Sequence, residues 1–395
     1  MRLSAMSMDA NCTVAEAVST HGETVRAVEE VLSEVREVVG TNPDLVFLFF
    51  TAHHRANARV LLNEVLRGLA PDAMAGGTVS GVVGGGQEHQ AGPGISLWAA
   101  RIPGSRVQSF HLGHDSEQGM VHGWPDLGAG SSAAMLADPF SFPVHRFFAS
   151  LRRKDRYPAL FGGLLSGASR QGGNLLIHDD ELREDGAVGI AVDGRMRFLP
   201  LVSQGCSPVG PVFEVTRAEQ NVVYELAGRS AYEGLSEMLS MLDDEERRRF
   251  MRAPHVGIQA VPNDSGEQTG DYLVRPVMGV DPQEGAIAFG DDVGAGLAVQ
   301  FQARDRDSAD RDLREALALA SAYHPNAGGA LMFPCTGRGV HLFQESDHDI
   351  TALHRYWPDL PAGGAFAAGE IGPVCGRPYV HGLSTSIGLL VPVEE

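Results

Sequence analysis

The residues best suited to chemistry stand in two glycine-rich turns of the last quarter of the chain, FPCTGRG and GGAFAAGEIGP, which hold Cys335, Arg338 and Glu370. One reading of a thiol beside Arg338 and the backbone N–H groups of Gly337 and Gly339 is a lowered pKa and a reactive or ligating thiolate. The competing reading of Cys335 is a buried small hydrophobe, as most free cysteines are. Arg338, in a Gly-Arg-Gly turn, is placed to fork onto a carboxylate, either a ligand's or that of Glu370. Were the chain an enzyme, Cys335 would be its nucleophile, with His341 or His381 as base. Thr385, in the LSTS segment that follows, completes this candidate pocket.

A second group sits earlier. His53 and His54 end the apolar run LVFLFF, where strand ends of open α/β sheets meet ligands; capping or packing is the alternative for both. Ser80 and Ser166 occupy equivalent places after Gly-Gly steps, able either to donate a hydroxyl to a ligand or to satisfy a turn carbonyl. Cys335 with His341 and Cys375 with His381 form two C-x5-H pairs, a spacing that fits no usual zinc site, so no metal is expected.

Other chemistries lack their residues. The 48 glycines include neither a G-x-x-x-x-G-K-[ST] loop nor the dinucleotide-binding spacing. There is no HExxH, no G-x-S-x-G and no kinase signature. With 31 Lys and Arg against 50 Asp and Glu, the formal charge is −19, which argues against nucleic acid and anionic membranes as partners. The first residues contain no apolar signal core and no run is long enough to span a bilayer, so a cytoplasmic protein is expected. Four scattered cysteines do not read as a disulfide framework.

The elements that must position these residues follow from periodicity. Thr13 to Val39 reads as an amphipathic helix with valines at three- and four-residue intervals. LVFLFF reads as a strand buried on both faces, followed by a helix over roughly 56–69 and a Gly-Gly strand. The same order returns before FGGLLSG and again before GGAFAAGE, so one supersecondary unit recurs about three times. Connections after each Gly-Gly step are too short for crossovers, which predicts mixed sheets with antiparallel hairpins. Further on, helices are expected near Ser230, over DDEERRRFMRA and over about 308–322, with a turn at Pro262-Asn263-Asp264. The fold class expected is mixed α/β: two domains, 1–210 and 211–395, of mixed sheets with helices on their outer faces, built from duplicated strand-helix-strand units.

With these residues in view, the sequence resembles the FIST family of sensory modules. PDLVFLFFTAHH and MAGGTVSGVVGGG are similar to the family's N-terminal half, and GPVFEVTRAEQNVVYELAGRSAYEGL to the start of its C-terminal half. FPCTGRG, GGAFAAGEIGP and the later LSTS are similar to its C-terminal signature. AFAA is smaller than the aromatic-containing step expected before Gly369, which implies a roomier pocket. The resemblance implies a cytosolic sensor of a small ligand, an amino acid or related carboxylate, bound among His53, His54, Ser80, Cys335, Arg338, Glu370, His381 and Thr385. It also implies a separate signalling output protein as partner. Because some relatives bind haem, a haem-based nitric oxide or gas sensor is the first alternative. A Cys335-dependent enzyme is the second.

Overall fold

The strand Leu45–Thr51 is buried at every position, as its run of Leu, Val and Phe predicts. In the computed structural model, which describes residues 12–128, 130–154, 157–260 and 272–393, it pairs parallel with Ala73–Val79 and antiparallel with Ile95–Arg101. The helix Ala58–Leu69 makes the crossover that a parallel pair requires. Strand, helix, glycine-bearing parallel strand, hairpin and closing antiparallel strand then recur in order. The second copy is Ser132–Ala137, Val144–Leu151, Ala159–Leu164, the hairpin Leu176–His178 and Glu181–Arg183, and Ala187–Gly194. The third is Gly329–Pro334, His348–His354, Ala362–Ala365, the hairpin Glu370–Val374 and Arg377–His381, and Thr385–Pro392.

The hairpins do not stay with their own copies. That of the first copy, Val82–Gly84 and Gln87–His89, sets Val83 opposite Gly364 of the third. The second copy's sets Ile177 opposite Gly76 of the first, and the third's sets Ile371 opposite Gly162 of the second. Each copy therefore completes another's sheet in a closed cycle. Equivalent amides lead into it: Thr78 N–H donates to the Leu175 carbonyl at 2.9 Å, Leu164 to Gly369 at 2.7 Å and Phe366 to Gly81 at 3.0 Å.

Register also explains the recurring glycine. A Cβ on Gly76, Gly162 or Gly364 would lie 1.9, 2.0 and 2.0 Å from the carbonyl oxygens of Leu48, Met135 and Met332 respectively, so no other residue lets these parallel strands approach. The third copy thus aligns through the second glycine of its pair.

The three sheets enclose one apolar core. Phe333 packs on Phe49 and Phe161 at centroid distances of 5.7 and 6.1 Å, joining residues of all three copies. Helices cover the outer faces, with Val28, Val31 and Val35 of Thr24–Val39 fully buried. The expected helix over residues 13–39 is half wrong: Thr13–Ser19 is a strand on Ile95–Arg101, and the helix begins only at Thr24. The valine spacing belonged to the second half, whereas TVAEAVS alternates, and a segment that alternates fits a sheet edge.

All three copies, apart from Val374 at the end of the third hairpin's first strand, fall in one compact unit, residues 1–202, 315–373 and 377–395; residues 203–314 and 374–376 form the other. In that second unit Cys206–Glu219, Ala298–Arg304, Pro254–Gln259, Tyr272–Asp281, Ala286–Phe289 and Val222–Leu226 pair antiparallel in sequence around the sheet. Val222–Leu226 returns to pair with Cys206–Glu219, which closes the sheet on itself. The helix Ala231–Met241 starts at the Ser230 cap, and Asp243 with Glu246 forms the capping box of Asp244–Arg252. Leu235, Met238 and Phe250 pack with Phe289 and Phe301 in this unit's core. The turn expected at Pro262-Asn263-Asp264 lies outside the described residues.

Candidate functional site

The repeat makes three strand ends comparable. The N–H of Thr51 donates to the Gly94 carbonyl at 2.9 Å, that of Asp138 to Gly186 at 3.0 Å and that of Cys335 to Ser384 at 2.9 Å, so these three residues are structural equivalents. Thr51 closes its own turn, its hydroxyl accepting the Gly94 N–H at 3.0 Å. Asp138 does so more completely. Its Oδ2 accepts the Ser141 N–H and hydroxyl at 2.9 and 2.6 Å, and its Oδ1 accepts the Asn174 amide at 2.9 Å.

The third strand end is built differently. Cys335 is 5% exposed, and its sulfur accepts the N–H groups of Gly337 at 3.4 Å and Leu383 at 3.3 Å. The thiol meets the carboxyl of Glu370, which has no exposed surface. Ser384 holds Oε2 of that carboxyl with its N–H at 3.0 Å and its hydroxyl at 2.6 Å. Among the described residues, Oε1 of Glu370 has no hydrogen-bond partner, nor does the buried hydroxyl of Thr385, which faces Pro334 across the ladder. Burial pushes the Glu370 carboxyl up to about 8, although Ser384, Cys335 and Arg338 oppose the shift. Burial and the Glu370 charge push the Cys335 thiol up to about 11. Of the two readings of Cys335, the thiolate is the one that fails and the buried small side chain the one that holds. The neighbouring cation is spent elsewhere, and a buried thiol beside a carboxylate keeps its proton.

Arg338 is fully buried and forks onto Asp349 at 2.8 and 3.1 Å, so its bidentate partner is neither Glu370 nor a ligand. His348 Nδ1 lies 2.9 Å from Asp349 Oδ1 and its ring stacks on Phe343 at 3.4 Å. Burial works against ionised Asp349, but Arg338 and His348 hold its carboxyl below the usual range. From the first copy's hairpin, Glu88 reaches the same helix, its Oε1 accepting the Ile350 N–H at 2.9 Å. Burial and the Asp349 charge push Glu88 up to about 8. This cluster fixes the helix His348–His354 over the Gly-Arg-Gly turn, since a buried pair orders geometry more than it stabilises.

The other expected site residues are distributed around the unit. Ser80 and Ser166 do meet: their hydroxyls are 3.1 Å apart, Ser166 accepts the Ser80 N–H at 2.9 Å and donates to the Phe366 carbonyl at 2.5 Å. This chain of contacts crosses from the first copy through the second to the third. Of the histidine pair, His54 is buried with Nδ1 3.1 Å from Thr24 Oγ1, and His53 is exposed, its ring 3.4 Å from the Thr51 hydroxyl. Burial and the nearby rings of His53 and His21 push His54 down. His381 is buried with Nε2 3.2 Å from the Gly372 carbonyl, and His341 is exposed. No group of three His, Cys, Asp or Glu suited to a metal ion occurs among the described residues.

Sequence reasoning missed Asp349, Glu88 and the role of Ser384. Asp349 had a signal, since it precedes Ile350, Ala352 and Leu353 on the buried face of its helix, where a lone carboxylate needs a cation. Glu88 had none, because its burial depends on a hairpin donated to another copy.

Fold and site together define a mixed α/β protein with a polar cluster at one of three equivalent strand ends. The FIST N domain matches residues 44–229 and the FIST C domain residues 231–373. The chain belongs to the FIST family, whose domains are sensory modules of signal transduction. It is 34% identical over 379 residues to an uncharacterized protein of Mycobacterium tuberculosis, covering 95% of this chain and 98% of that one. An uncharacterized protein of Mycobacterium bovis is 33% identical over 383 residues, covering 96% and 98%. Among solved structures, PurLQS from Thermotoga maritima aligns over 97% of this chain and 73% of that chain with a TM-score of 0.22 and 10% identity, too low to carry an argument. No helix of the described residues is long and apolar enough to cross a membrane.

Proposed function

We propose that this chain is a sensory module whose small ligand, an amino acid or related carboxylate, is met at the strand end of the third copy. The observation that carries this reading is the inequality of three equivalent positions. The Thr51 hydroxyl and the Asp138 carboxylate are themselves hydrogen-bonded within their own copies, whereas at the third strand end Glu370 Oε1 is left without a partner. An unsatisfied buried polar atom costs about 1–3 kcal/mol, so each one in a native protein needs an explanation, and a ligand at this strand end would supply it. Arg338 serves the site through Asp349 by fixing the turn, and Glu370, Ser384 and Cys335 carry the recognition. The signal passes to a separate output protein.

The test is a thermal-shift and calorimetric screen of amino acids, 2-oxo acids and other small carboxylates. A compound that raises the melting temperature of the wild type, with the effect lost in Ser384→Ala and Glu370→Gln, is the expected result. A screen in which no compound acts, or in which both variants respond like the wild type, would refute the assignment.

A further inference from the structure

The third strand end carries the parts of a thiol-addition site. Two backbone N–H groups point at sulfur, those of Gly337 and Leu383, and fixed donors of this kind stabilise charge as it develops. Ser384 clamps Oε2 of Glu370 with two donors, which leaves Oε1 to exchange a proton. The thiol is 5% exposed, and Gly337 and Leu383, whose N–H groups reach it, are partly exposed.

We propose that Cys335 and Glu370 act as a thiol–carboxylate pair that captures a small 2-oxo acid reversibly through its electrophilic carbonyl carbon. This rests on the reading of the strand end as the sensory site and names the ligand's chemical class. In the step, the Glu370 carboxylate takes the thiol proton while sulfur bonds to the carbonyl carbon. The π electron pair of the C=O bond moves to its oxygen, and Glu370 returns the proton to that oxygen. The product is a thiohemiacetal. Nothing is oxidised or reduced and no group leaves, so reversal restores thiol, carboxylate and ligand. The raised pKa of the buried thiol makes a base necessary, and with Glu370 pushed up to about 8 that base is chiefly available at mildly alkaline pH.

The experiment uses the full chain and glyoxylate isotopically labelled at its carbonyl carbon, followed by NMR. A saturable tetrahedral-carbon signal, distinct from that of hydrated free glyoxylate, is expected. Cys335→Ala should abolish it, Cys375→Ser should leave it intact, and Glu370→Gln should slow its appearance about 100-fold, as loss of a general base does. A second measurement needs no variant: iodoacetamide labelling of each cysteine of the wild type across pH, read by peptide mass. The rate at Cys335 should level off as Glu370 ionises near about 8. An unassisted thiol would keep accelerating towards about 11. No tetrahedral signal in the wild type beyond that of hydrated glyoxylate, an adduct signal that survives Cys335→Ala, or a labelling rate that keeps climbing overturns the proposal. Should amino acids shift the strand-end resonances without any adduct, covalent capture fails and the sensory reading stands; should no compound perturb this strand end, both fall.

Discussion

Glu370 and Glu88 give the protein a pH dependence opposite to that of ordinary carboxylates. Both are pushed up from 4.5 to about 8, chiefly by burial. Between those values the folded state holds protons that the unfolded chain has released, so stability is greatest below the lower value and falls as pH rises through the upper one. Each group contributes at most ~1.4 kcal/mol per pH unit within that window. Asp349, held below its usual range, acts the other way and withdraws stability only in acid. Urea midpoints measured from acid to mildly alkaline pH should therefore decline, and Glu370→Gln should flatten the decline. A wild type equally stable across the range, or a Gln variant with an unchanged slope, contradicts this. The thiol was legible in the sequence as the residue to examine, but its protonation state was not, because Cys335 and Arg338 are neighbours in sequence and the partner that takes up Arg338, Asp349, is not in their turn.

At the scale of elements, the recurring glycine is the tightest constraint on the fold. Gly364 has a φ of 150° and no room for a Cβ against the Met332 carbonyl. Gly364→Ala should cost about 3 kcal/mol, the upper range for overpacking, and shift the urea midpoint, whereas Ala at exposed Gly22 meets no atom within 4 Å. Equal midpoints for the wild type and Gly364→Ala would show that the strands separate without penalty. The strands, the mixed pairing and the triple recurrence could all be read from apolar runs and Gly-Gly steps, since these are local patterns. The strand at Thr13–Ser19 was hidden by the stronger helical period that follows it. The grouping of all three copies in one unit was hidden too, because it depends on hairpins that pair with strands of other copies, and no local pattern names a distant partner.

For the molecule as a whole, the hairpin cycle makes the copies interdependent. Residues 13–102 contain a full first copy, yet Ala73–Val79 needs the second copy's hairpin on its open side. Expressed alone, that segment should show no protected amides in hydrogen exchange, because the strand edge and half the apolar core would face water. A protected, cooperative fragment would mean that one copy is a domain in its own right. The same cycle bears on how a sensor reports. Glu370 stands at the start of a strand whose ladder partner is Gly163 of the second copy, while the third copy's own parallel strand carries the first copy's hairpin. On the proposed sensory reading, a displacement of that carboxyl would displace sheets belonging to other copies, so a receiving surface would not have to adjoin the ligand: a message written at one strand end could be read at any of the three.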